Sequence, residues 1–92
     1  MTIFSSDEDA RAFLRGLVPP DLPVDQSGWQ FLEVLIAQAA GAVAASPNRT
    51  EEARQGVEAL VQAISSRAGL ARLSVADIQA TLGKLCPLYP FC

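Results

Sequence analysis

Residues 28–45 read GWQFLEVLIAQAAGAVAA, and this stretch decides the fold. It holds a single charged residue, Glu33, and no proline. Apolar side chains recur at helical spacing along one face, and other apolar residues cover much of the remaining surface. A helix that is apolar nearly all round is buried on most sides, so the sequence predicts a central helix over 28–45. Asp25 or Ser27 is expected to cap it, and Ser46-Pro47 to end it.

Three further amphipathic helices are predicted around this segment. They span residues 6–17, 50–68 and 74–85, with capping residues at Ser5 or Ser6, at Asn48 or Thr50, and at Ser74 with Asp77. Gly69 and the Cys86-Pro87 pair are expected to end the last two. The predicted fold class is therefore all-α, a single domain over 1–92 built as a small bundle of about four helices. The predicted core consists of Phe13, Leu17, Trp29, Leu32, Ile36, Val57, Leu60, Val61, Ile64, Ile78 and Leu82.

A proline-rich connector over residues 18–25, reading VPPDLPVD, separates the first two helices. Three prolines exclude a helix or a central strand there. The connector should be stiff and extended. The first helix can then pack far from the start of the second, on the same chain or on another subunit.

The composition indicates an interface. Of the 92 residues, 50% are hydrophobic and only 18% charged, below the usual quarter, and mean hydropathy is +0.24. A domain this small has a large surface, so some apolar area should stay exposed, as interfaces do. We expect a protein–protein interaction module, as a homodimer or as an accessory subunit of a larger complex. The candidate contact residues are Phe31, Leu35, Ala37 and Gly41 in the second helix and Leu88, Tyr89 and Phe91 in the tail.

Catalysis, metal binding and nucleic-acid binding are disfavoured. The chain has no histidine, which is the commonest general base and metal ligand. The paired carboxylates, such as Glu51 and Glu52, lie at predicted helix N-termini, where the helix dipole explains them. Net charge is −3 without a basic stripe, whereas nucleic-acid binding needs a positive footprint. We expect a non-enzymatic protein with no catalytic, cofactor or metal site.

The expected location is the cytoplasm. The N-terminus shows neither the basic nor the apolar region of a signal peptide, and the most apolar stretch, 31–45, is short for a membrane span. This small acidic protein is also rich in arginine and alanine, which is typical of a GC-rich bacterial genome.

The tail over residues 86–92, reading CPLYPFC, leaves several interpretations open. Cys86 can be a small apolar core residue with Cys92 an incidental thiol, or the two can form a disulfide that acts as a redox device. A second hypothesis for the protein is accordingly a precursor peptide or redox-active protein whose tail is modified. The apolar tail itself can dock into a partner's groove, or it can pack back on the bundle as a strap.

The segment over residues 73–82 resembles the last helix of acyl and peptidyl carrier proteins. That resemblance implies a phosphopantetheine-bearing serine in an Asp-Ser-Leu motif at the start of the second helix. Here Asp25-Gln26-Ser27-Gly28 stands in that place, with the serine displaced and a glycine after it. A carrier-like domain modified at Ser27 is the third hypothesis.

Overall fold

The computed structural model describes residues 7–67 and 72–91, which form four α-helices joined by short segments. The helices are α1 (Asp7–Arg15), α2 (Gln26–Ala45), α3 (Thr50–Arg67) and α4 (Val75–Leu85), with a 3-10 turn at Pro47–Arg49. Across the two described ranges the only extended pairing is an isolated parallel bridge between Val24 and Leu73. The predicted all-α fold is confirmed.

Local capping fixes the start of two helices as the sequence predicts. The backbone N–H of Gly28 donates to the Asp25 carboxylate at 2.7 Å, which caps α2. At α4 the Asp77 carboxylate accepts the backbone N–H of Ser74 at 3.0 Å and its hydroxyl at 3.2 Å. Helix α2 ends at Ala45, directly before Ser46. These signals involve residues within four positions of one another, so the sequence alone reveals them.

The predicted caps of the third helix are wrong. Asn48 already belongs to the 3-10 turn, and the Thr50 hydroxyl donates back to the Pro47 carbonyl at 2.6 Å. The chain thus enters α3 from a preceding turn, in which the backbone N–H of Thr50 also donates to the Pro47 carbonyl. The predicted capping serines before α1 and the predicted stop at Gly69 lie outside the described residues.

The connector over residues 18–25 contains no helix, as predicted, but it is not uniformly extended: it bends at Val18 and Pro23, turns at Pro20 and Asp21, and is part of the core. Leu22 and Val24 are buried. The backbone N–H of Leu73 donates to the Pro23 carbonyl, and that of Asp25 to the Leu73 carbonyl, both at 2.9 Å. This pairing ties the connector to the segment that precedes α4. It lets α1 pack on the C-terminal half of α2 in the same chain.

Two apolar clusters share α2, which contacts each of the other three helices. The first cluster joins α1 to α2 and α3 through Ala10, Leu14, Ile36, Ala39, Ala40, Val43, Ala53 and Val57. The second joins the connector to α2, α3 and α4 through Leu22, Val24, Leu32, Leu60, Ile64, Leu73 and Ile78. Six predicted core residues are buried, namely Leu32, Ile36, Val57, Leu60, Ile64 and Ile78. Phe13, Leu17, Trp29, Val61 and Leu82 are half-buried at the edges of the clusters.

Candidate functional site

Helix α2 has one partly exposed face, and its opposite face is the centre of the core. The residues of this face recur at alternating four- and three-residue steps, which places them on one side of the helix. They are Gln30, Val34, Ala37, Gly41 and Ala44, and we call them the outer stripe. Its two larger residues are exposed and its three small residues are half-buried, and the exposed Gln38 and Ala45 border it. Val34 is 52% exposed. No atom of another part of the chain lies within 4 Å of a Cβ built on Gly41. The stripe is therefore accessible at Gln30 and Val34 and has free space beside Gly41.

The outer stripe carries no charge. The single charged residue of α2, Glu33, lies beside the stripe and forms an ion pair with Arg15 of α1. Ala37, Gly41 and Ala45 recur at four-residue spacing, and such small residues let two helix backbones approach closely. A neutral, small-residue face can accept another helix without burying an unpaired charge.

The structure divides the residues that the sequence suggested on α2. Ala37 and Gly41 lie in the outer stripe. Phe31 and Leu35 are half-buried and pack against the second cluster, so their side chains are mostly occupied within the chain. Val34 was missed, although its heptad spacing from Gly41 could have indicated it.

The segment after α4 turns back over the bundle, and we call residues 86–91 the strap. Two successive turns redirect the chain: the N–H of Leu88 donates to the Leu85 carbonyl at 2.8 Å, and that of Phe91 to the Leu88 carbonyl at 2.9 Å. The Tyr89–Pro90 peptide bond is cis. Leu88 is 40% exposed, whereas Tyr89 and Phe91 are half-buried.

Tyr89 anchors the middle of the strap through two contacts. Its hydroxyl donates to the Ala42 carbonyl of α2 at 2.9 Å. The Arg49 guanidinium lies 3.8 Å from the centre of its ring, a cation–π contact. Arg49 also donates to Glu52 at 3.0 Å, and this hydrogen bond raises the pKa of Arg49. The strap is thus linked to both α2 and the start of α3.

Phe91 closes an apolar groove between α2 and α3. The lining, which includes Phe91 itself, is Val18, Leu22, Leu32, Leu35, Ile36, Ala39, Val57, Leu60, Val61, Ile64 and Phe91. Phe91 packs against both core clusters. The space left beneath it is about 10 Å³, which is near the least that one water molecule needs. The strap therefore fills the groove.

Gly56 of α3 has no side chain, which allows the strap to pack closely against this helix. It is buried, and a Cβ built on it would overlap the carbonyl oxygen of Tyr89 and lie 3.4 Å from the Phe91 ring. Any larger residue at this position must displace the strap or α3. The sequence offered no signal for this role, since Gly56 looks like an ordinary interior helix residue.

Cys86 lies where α4 ends and the strap begins. It is exposed and disulfide-bonded, so its interpretation as a buried apolar residue is wrong. Cys92 is the only other cysteine of the sequence and lies outside the described residues. A disulfide at an exposed cysteine is accessible to small thiols.

The polar residues near the helix ends are engaged in capping and ion pairing. The exposed Ser27 hydroxyl donates to the Asp25 carboxylate at 2.8 Å. On α3, Arg54 pairs with Glu51 and Glu58, and the hydrogen bond from Arg54 lowers the pKa of Glu51. In the described part of the chain no group of three or more acidic or cysteine side chains is placed to hold a metal ion.

Helix α2 also meets the length and composition of a membrane span. Its 20 residues include an 18-residue window of mean hydropathy 1.2, a third of which is buried in the bundle. The helix is longer than the apolar stretch 31–45 seen in the sequence, because it begins at Gln26. The core helix of a soluble protein can have the same length and composition.

The fold and these two surfaces define a small all-α bundle with an open helix face and a closed apolar groove. No protein-family model matches the chain, and neither a curated protein nor a solved structure matches it significantly.

Proposed function

We propose that this protein is a non-catalytic interaction module that associates with a second copy of itself through the outer stripe of α2. The observation that carries the proposal is a partly exposed, uncharged face on the helix that is otherwise the centre of the core. Val34, at 52% exposure, is the largest apolar side chain on that face. Gly41 leaves space beside it for a facing helix.

The geometry favours a helix as the occupant. The alternating steps of Gln30, Val34, Ala37, Gly41 and Ala44 match the seam of a two-helix coiled coil. A second copy presents the same stripe, so in a symmetric dimer the outer stripe of one copy packs against the outer stripe of the other. Because the stripe is neutral, the net charge of −3 does not place equal charges opposite each other within it.

The size of the stripe limits the affinity. A 20-residue helix is about 30 Å long and about 10 Å wide, so one face buries about 300 Å² per copy. Stable complexes bury about 800 Å² per partner. We therefore expect reversible, concentration-dependent dimers rather than an obligate dimer.

Sedimentation velocity tests the proposal with a matched pair of variants. Gly41 and Gly83 both lie in helices and both have open space at the Cβ position. G41E places a charge in the stripe, whereas G83E places the same charge on α4. The wild type and G83E should dimerise as concentration rises, and G41E should weaken dimerisation at least about tenfold.

Two results would contradict the proposal. A wild type that stays monomeric at high concentration leaves the stripe without a self-partner and points to a different protein as its occupant. Equal weakening by G41E and G83E means that added charge, not the stripe, controls association.

A further inference from the structure

We infer that the strap is a releasable plug, held over the apolar groove by the disulfide at Cys86 and freed when that disulfide is reduced. The groove between α2 and α3 then opens without unfolding of the helices. The occupant of the closed groove is the strap itself, residues 86–91. This inference is independent of the outer stripe, which lies on another face of α2.

The groove is lined by apolar side chains and therefore favours an apolar occupant, and in the closed state that occupant is the side chain of Phe91. Phe91 reaches both core clusters and leaves almost no free space beneath it. Its removal would expose large apolar side chains of α2 and α3, among them Leu35 and Val61. Opening the groove therefore increases the exposed apolar surface of the protein, and this increase can be measured.

Apart from the packing of Tyr89 and Phe91 against the core clusters, the strap has few contacts that hold it in place. Its residues are exposed or half-buried, and none of the described strap residues is fully buried. The specific contacts are the Tyr89 hydrogen bond to Ala42 and the Arg49 cation–π contact. Each is of the kind that contributes modestly in water. A covalent restraint at Cys86 adds to these contacts by limiting the conformations that the released strap can adopt.

The position of the cysteines suits this restraint. Cys86 begins the strap, and Cys92 follows Phe91 directly in the sequence. A bond between these two cysteines of one chain would close a loop that contains the strap, and such a loop limits the conformations of the released state. Cys86 is exposed, so a small thiol can reach its sulfur.

The releasing reaction is thiol–disulfide exchange with a dithiol. A dithiol thiolate attacks one sulfur of the protein disulfide and forms a mixed disulfide, and the other cysteine leaves as a thiolate. The second dithiol sulfur then displaces the remaining cysteine. The protein gains two electrons and two protons as two thiols, and the dithiol is oxidised to its cyclic disulfide.

The test is the fluorescence of anilinonaphthalene sulfonate, a probe of exposed apolar surface, together with far-UV circular dichroism. Oxidised wild type should bind little probe in the groove. Dithiothreitol should raise the fluorescence severalfold while the helical signal stays constant. C86S should show the high fluorescence without reductant and should not respond to it.

A glycine pair separates release of the strap from the chemistry of reduction. G56A should displace the strap from oxidised protein, because the new methyl group overlaps the Tyr89 carbonyl. G83A is the matched control, since its Cβ position is open. We expect high fluorescence from oxidised G56A and wild-type behaviour from G83A.

Three outcomes would overturn the inference. The first is free thiols in protein prepared without reductant, shown by thiol titration. The second is unchanged fluorescence on reduction of the wild type. The third is a fluorescence rise that follows a proportional loss of helical signal, which means general unfolding.

Discussion

Replacing Gly28 by alanine tests how tightly the start of α2 is packed. Helix propensity alone favours the change, since glycine is up to about 1 kcal/mol worse than alanine in a helix. A reader of the sequence would therefore expect G28A to stabilise the protein. The structure reverses that expectation, because Gly28 is buried at a crossing of three segments.

The magnitude follows from the three atoms that surround the missing Cβ. A Cβ on Gly28 would overlap Cγ1 of Val24 and lie 3.1 Å from the Leu73 carbonyl oxygen and 3.2 Å from Cδ1 of Ile78. Val24 is buried and held by backbone bonding to Leu73, so it has little freedom to move. Overpacking of this kind costs about 1–3 kcal/mol. We expect a net loss of about 1–2 kcal/mol, or roughly 5–15 °C in Tm for a chain of this length.

Thermal and urea unfolding, followed by circular dichroism and by the fluorescence of Trp29, measure the effect. G41A and G83A are the controls, because both positions are open and should gain about 0.5–1 kcal/mol from helix propensity. Low protein concentration keeps association out of the comparison. A G28A protein at least as stable as G41A would refute the packing argument.

Three further predictions concern single side chains. The backbone N–H of Gly28 and then the Ser27 hydroxyl lower the pKa of Asp25 below 3.8, so its stabilisation is complete above that pH and is lost as pH falls through the lowered value. The variant D25N retains an oxygen that can cap the helix but does not titrate. Between about pH 5 and about pH 2, the free energy of unfolding measured in urea should therefore fall less for D25N than for the wild type. Leu14 is fully buried in the first cluster, so L14A should lower the free energy of unfolding by about 2–5 kcal/mol in urea titrations. A smaller change would mean that α1 packs only loosely on the rest of the bundle. The variant Y89F loses the hydrogen bond to the Ala42 carbonyl but keeps the aromatic ring. It should lower the free energy of unfolding by about 1 kcal/mol in thermal unfolding, and an unchanged Tm would argue against this hydrogen bond.

The helices could be predicted from the sequence because their signals are local. Apolar spacing, the Asp25 cap and the Ser74–Asp77 box all involve neighbours along the chain. The predicted interaction residues of α2 stay predictions, and the structure places them on different faces of the helix. Ala37 and Gly41 lie on the open face, but Phe31 turns inward, because the choice of outward face depends on where α1 and α4 pack.

The sequence by itself therefore determined the four helices, most of their ends and the central place of α2. The tertiary structure decided which face of α2 stays open, that Leu22 and Val24 join the core, and that Phe91 closes the groove over Gly56. The periodicity of a helix is set by hydrogen bonds between residues four apart, so a short segment of sequence is enough to show it. Burial of a connector or a strap depends on contacts between residues distant in sequence, such as Tyr89 with Ala42, and no local pattern encodes them.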